Sequence, residues 1–113
     1  MHEISIVEGI LEAVIPAAKQ HGAVRINDIR LCIGELAGIV PECIEEYFRI
    51  AAKGTIAENA HITVKKIPVM IRCADCGFEG SVTRGVYRCP SCDGIHFRII
   101  SGKEYYVDTI EAD

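Results

Sequence analysis

The stretch Arg72–Arg98, RCADCGFEGSVTRGVYRCPSCDGIHFR, decides how the chain is read. It sets Cys73 and Cys76, then Cys89 and Cys92, in two C-x-x-C pairs separated by twelve residues. Two residues between thiolates let one tight turn aim both sulfurs at a single ion, and two facing turns complete a tetrahedron with Zn–S distances of ~2.3 Å. A segment this small cannot support a core of its own, so a bound metal is expected to fold it. Zinc is the expected ion, with iron the alternative that the same four sulfurs would accept. Four thiolates leave no open coordination position, which makes the site a scaffold and not a catalyst.

The flanks have a different character. From Ile4 onward Val7, Ile10, Leu11, Val14, Ile15 and Ala18 recur at helical spacing, with Ser5, Glu8, Glu12 and Lys19 on the opposite side. Pro16 removes a backbone donor, so a kink or an early end is expected there, and His21-Gly22 reads as the stop. Val24 to Gly34 predicts a half-buried strand, with Ile29, Leu31 and Ile33 alternating against Arg30 and Cys32. Pro41 fits the first turn of a second helix, Glu42, Glu45 and Glu46 suit its positive end, and Gly54 its stop. Ile62 to Ile71 predicts a second strand with a bulge near Lys65 and Lys66, and Lys103 to Ile110 a third. The expected fold is α+β: a small three-stranded sheet with two helices, interrupted by a zinc-ribbon-like module. The expected boundaries are residues 1–71 for the first part of the α/β domain, 72–97 for the zinc-binding module and 98–113 for the closing strand.

Composition narrows the function. The 113 residues are half apolar, lack tryptophan and carry a net charge of −4 with no run of Lys or Arg, so nucleic acid is a poor fit as partner. The first twenty residues do not read as a secretory signal, and no run approaches the ~20 apolar residues of a membrane span. A cytoplasmic protein with reduced thiols is therefore expected, its six cysteines serving as metal ligands or core residues. Cys32 and Cys43 have no close partner in sequence and read as core or near-surface thiols. His21 and His61 read as capping or solvated residues. His96, beside the cysteine module, could reach the zinc shell or a second ion. No Ser-His-Asp order, phosphate-cradling loop or HExxH is present, so an enzyme has no support.

The chain as a whole resembles the HypA/HybF family of nickel-delivering accessory proteins of NiFe-hydrogenase maturation. The resemblance rests on the "MHE" start before a helix, "IGELAGIVPECIEEYF", "AKGTIAENAHITV", "CADCG", "CPSC" and the closing "SGKEYYVDTIE". It implies that His2 is the principal Ni(II) ligand, helped by the Met1 amine and nearby backbone nitrogens with Glu3 beside it, and that Cys73, Cys76, Cys89 and Cys92 hold a structural Zn(II). It further implies a maturation GTPase and the NiFe-hydrogenase large subunit as partners, with urease assembly served in some organisms. Nickel chemistry agrees, because Ni(II) accepts nitrogen donors in square-planar or tetragonal geometry. Amine and imidazole titrate near ~7.7 to 8.0 and ~6.5, so affinity should fall on acidification. One departure is visible: the family's second knuckle commonly reads C-P-x-C-G, whereas Asp93 follows Cys92 here. The competing readings are a zinc-ribbon module docking on nucleic acid or a transcription assembly, and a rubredoxin-like iron carrier.

Overall fold

The computed structural model describes residues 2–83 and 85–113, with the side chain of His2 left out. Its elements are α1 (His2–Gln20), β1 (Ile26–Gly34), α2 (Pro41–Ala51), β2 (His61–Ile67), β3 (Met70–Cys73), β4 (Glu79–Ser81), β5 (Phe97–Ser101) and β6 (Tyr105–Ala112). The strands form two three-stranded sheets, ordered β2-β1-β6 and β4-β3-β5. The fold is α+β, two helices and a small three-stranded sheet together with a cysteine-bearing, ribbon-like module. By contacts the chain divides into two compact units, Met1–Leu31 with Ile39–Lys65 and Tyr106–Asp113, and Cys32–Gly38 with Lys66–Tyr105. The stretch 72–97 lies inside the second.

In the first unit α1 owes its position to one buried stripe. Glu3, Val7, Ile10, Val14 and Ala18 follow three- and four-residue steps and are all buried, with Ile6 beside them. Ile4 falls off this stripe and is 43% exposed. The helix does not end at Pro16 but continues to Gln20. Pro16 is exposed, so its ring displaces no buried side chain, and the helix carries both the missing donor and the crowding of the Glu12 carbonyl. Termination comes at Gly22, whose φ of 78° is open to glycine at little cost. Gly22 N–H donates to Lys19 C=O at 3.0 Å and Ala23 N–H to Ala18 C=O at 3.0 Å, closing the last turn.

The second helix begins with Pro41, whose missing N–H is no loss in the first turn. Glu42 lies in that turn and Arg49 in the last, each at the helix end that suits its charge. Ile44 and Phe48 are its buried anchors, and it packs against α1. Strand β1 buries Ile26, Ile29 and Leu31 while Arg30 stays exposed. Toward its end the expected alternation fails, because Cys32, Ile33 and Gly34 are all buried. Thr63 on β2 donates to the Asp28 carboxylate at 3.0 Å, and Arg30 reaches Glu111 on β6 at 3.4 Å, so side chains of β1 tie to both neighbouring strands. Beyond β6, Val24 N–H donates to Asp113 C=O at 2.7 Å and Asp113 N–H to Arg25 C=O at 2.8 Å.

The single strand expected from Ile62 to Ile71 is two strands, β2 and β3, belonging to different sheets. The break falls at Pro68-Val69 and not at Lys65-Lys66. Pro68 cannot donate to a ladder, and Val69 is wholly buried where the chain changes sheets. In the second unit β3 pairs antiparallel with β4 and β5, setting Ile71 opposite both Gly80 and Ile99. Val69, Ile71 and Val82 form its core, with Leu36, Phe78, Phe97 and Ile99 packed against them. Ladder bonds from Glu35 N–H to Ile67 C=O, 3.0 Å, and from Leu36 N–H to Gly102 C=O, 2.7 Å, fasten the 32–38 segment to this unit. No helix among the described residues is long and apolar enough to cross a membrane.

Candidate metal centre

The two C-x-x-C turns are built alike. Cys73 closes β3, and its N–H donates to Phe78 C=O at 2.8 Å while Gly77 N–H returns to Cys73 C=O at 3.2 Å. In the second turn Cys89 N–H donates to Gly94 C=O at 2.9 Å and Asp93 N–H to Cys89 C=O at 2.8 Å. Each turn therefore closes around its first cysteine by the same pair of backbone bonds. The residue after the second cysteine needs a left-handed backbone, supplied by Gly77 at φ 76° and Asp93 at φ 59°. Asp is among the few residues with a side chain that enter this region readily.

These turns bring all four sulfurs within 4.8 Å of one another. Cys73 Sγ lies 3.6 Å from Cys92 Sγ, and Cys76 Sγ 3.4 Å from Cys89 Sγ. A tetrahedral ion with ~2.3 Å bonds to sulfur spaces its ligands ~3.8 Å apart, so the donor set fits Zn(II) in both number and size. Burial is asymmetric: Cys73 and Cys89 are each 2% exposed, whereas Cys76 and Cys92 reach solvent.

Two of the thiols are pushed in opposite directions. Burial opposes ionisation of Cys89, but N–H donors from Cys92 and Ser91 and hydrogen bonds with Cys76 and Cys92 outweigh it and bring the thiol down to about 7. At Cys92 the Gly94 backbone donor favours the thiolate, yet hydrogen bonds with Cys73, burial, and contacts with Cys76 and Cys89 push it up to about 12. Cys76 and Cys92 thus favour the thiolate at Cys89. A divalent cation stabilises several thiolates at once, displacing the protons that hold the cluster together.

Of the other residues singled out in sequence, Cys32 is buried and Cys43 half-buried, and neither joins the cluster. His96 is not one of the converging donors either. Its Nδ1 lies 3.1 Å from Asp75 Oδ2, and its carbonyl accepts from Ala74 N–H at 2.8 Å. Sequence reading passed over Asp75; its place inside C-A-D-C, facing a histidine after the second turn, was the available signal. Glu3 is buried in the first turn of α1. Met1 and the side chain of His2, the other expected nickel donors, lie outside the described residues.

Comparison with known proteins places these features in a family. Residues 1–112 match the family described as hydrogenase/urease nickel incorporation, metallochaperone, hypA. A hydrogenase maturation factor HypA from Chlorobium limicola is 42% identical over 110 residues, covering 97% of this chain and 95% of that protein. The protein of the same name from Moorella thermoacetica is 34% identical over 113 residues, with both chains fully covered. Among solved structures, the solution structure of the Ni metallochaperone HypA from Helicobacter pylori superposes with a TM-score of 0.70 at 22% identity, covering 99% of this chain and 97% of that one. At that identity the likeness speaks for the fold alone.

Proposed function

Because the chain belongs to the HypA family of hydrogenase/urease nickel-incorporation metallochaperones, we propose that it binds Ni(II) through the Met1 amine, the His2 imidazole and intervening backbone nitrogens, with Glu3 beside them, and carries the ion to a NiFe-hydrogenase under maturation. The observation that carries this reading is the family match across residues 1–112, which starts at the MHE terminus itself. Nitrogen donors of this kind suit Ni(II), and an α-amine with an adjacent imidazole closes small chelate rings around one ion. A few-ligand nitrogen site releases its cargo more readily than four thiolates would.

Zn(II), on this reading, is resident at Cys73, Cys76, Cys89 and Cys92, and supplies the cross-link that the small core around Ile71 does not. The first unit serves the nickel-handling part, and the zinc-binding module, 72–97, belongs to the second. The protein acts in the cytoplasm as a carrier without turnover chemistry. Its partners are a maturation GTPase that supplies nickel or gates its transfer, the hydrogenase large subunit and, in some organisms, the urease assembly proteins.

Nickel titration followed by d–d absorption or calorimetry tests the proposal. His2→Ala, and separately a short extension ahead of Met1, should each abolish stoichiometric nickel binding while leaving zinc content and the far-UV spectrum unchanged. Equal nickel affinity in both variants would overturn it.

A further inference from the structure

We propose that Asp75 and His96 form a clasp across the open edge of the four-thiolate site and set how fast it exchanges its metal. The inference rests on the zinc reading above and concerns two residues outside the donor set. Asp75 lies within the first turn and His96 just after the second, 21 positions on, and the 3.1 Å contact between Oδ2 and Nδ1 joins the two turns through side chains. Beside it the Ala74 N–H to His96 C=O bond, 2.8 Å, joins them through the backbone.

The clasp sits on the side where the site is exposed. A Cβ placed on Gly94 would stand 3.2 Å from both Asp75 Oδ2 and Cys92 Sγ, so carboxylate and sulfur flank the same point. Cys92 and Cys76 are the two ligands that reach solvent, while Cys73 and Cys89 are buried. A competing chelator must approach through Cys76 and Cys92, and separating the turns there opens its path. The Asp75–His96 contact opposes that separation. The pair is itself exposed, 53% and 73% for the two side chains, so it is a weak tie acting on a rate and not a support of the fold.

Electrostatics alone gives the opposite sign for one variant, which makes the proposal decisive. Four thiolates around one divalent ion carry net negative charge, so removing the Asp75 carboxylate without breaking any clasp would strengthen metal retention. A clasp requires that its removal weaken retention.

The test is zinc transfer from the purified holoprotein to 4-(2-pyridylazo)resorcinol at fixed pH, read as a rate, with Tm recorded alongside. Asp75→Ala and His96→Ala should each release zinc about threefold faster. The double variant should be no faster than either single, because both remove one interaction. Asp75→Asn, which keeps an accepting oxygen, should restore most of the wild-type rate, and Tm should stay within about 2 °C throughout. Slower release from Asp75→Ala, unchanged rates, or additive effects in the double variant would overturn the clasp while leaving the zinc reading intact. Wild-type protein purified without one zinc per chain would overturn both.

Discussion

Gly77 and Asp93 occupy equivalent positions in the two cysteine turns, each donating its N–H to the carbonyl of the first cysteine from a left-handed backbone, φ 76° and φ 59°. Only glycine holds that conformation without cost; a residue with a Cβ gives up about 1 kcal/mol, and Asp somewhat less. Asp93→Gly should therefore raise the stability of the zinc-bound protein by up to ~1 kcal/mol, since its 3.7 Å contact with Arg88 is exposed and contributes little. Gly77→Ala should lower it by ~1 kcal/mol or more. Urea midpoints of the two holoproteins check this pair, and midpoints moving in the same direction would contradict the equivalence.

A second glycine is held by contact and not by dihedral angle. Gly34 ends β1 so close to Gly102 that a Cβ there would fall on the Gly102 carbonyl, backbone that no side-chain rotation can clear. The same carbonyl accepts from Leu36 N–H at 2.7 Å, so yielding would break a ladder bond. Gly34→Ala should cost about 3 kcal/mol. Thermal unfolding of the zinc-loaded variant measures it. Gly38→Ala, at φ 73° with nothing within 4 Å of its Cβ, is the comparison in which only dihedral strain acts, and it should lose less.

How much of this was legible beforehand differs by region. The spacing of Cys73, Cys76, Cys89 and Cys92 announces a metal cluster because ligand geometry is local: each turn needs only four residues to aim two sulfurs. The helices were equally legible, since the stripe through Val7, Ile10 and Val14 repeats at helical steps. The second sheet was not. Strand β4 is three residues, Glu79–Ser81, too short to show any period, and the ladder that stabilises it is formed with β3. The division of Ile62–Ile71 into two strands also escaped, because Pro68 marks a break only once the two halves are known to join different sheets. The continuation of α1 past Pro16 escaped because proline reads as a breaker by residue type, although its place four residues after Glu12 puts it on the exposed side. The nickel donors came from resemblance alone, as no spacing distinguishes a working terminal histidine from an idle one.

The second unit should depend on its metal more than the first does. Apart from the cysteine ligands, its buried apolar side chains among the described residues are the Val69, Ile71 and Val82 cluster with Cys32 and Ile33, whereas the first buries a stripe of α1 together with Ile26, Ile29, Ile44 and Phe48. Chelation of zinc under reducing conditions should collapse the amide dispersion of residues 70–101 in a 1H–15N spectrum while resonances of α1 and α2 persist. Simultaneous loss of both sets, or survival of both, would show that the metal is not the local support proposed.

Glu104 should make stability fall with acid. Its carboxylate is held below the ordinary 4.5 chiefly by its own N–H and that of Gly102, 2.6 Å away, with Lys103 N–H adding to them. In the unfolded chain those donors turn to water and the carboxyl returns to its usual range. The unfolded state thus takes up a proton first, and the contribution of Glu104 is fully present above pH 4.5 and lost as pH falls through the lower, folded value. Glu104→Gln keeps an accepting oxygen but cannot ionise. Urea midpoints between pH 3 and 6 should therefore fall less steeply in the variant than in the wild type, with the two differing most at the upper end of that range. Cys89, brought down to about 7, also takes up its proton below neutrality, so the comparison is made between wild type and variant at each pH and not across pH. Parallel curves would mean that the loop Ser101–Tyr105 is held by its backbone bonds alone, Gly34 N–H to Glu104 C=O at 2.7 Å among them.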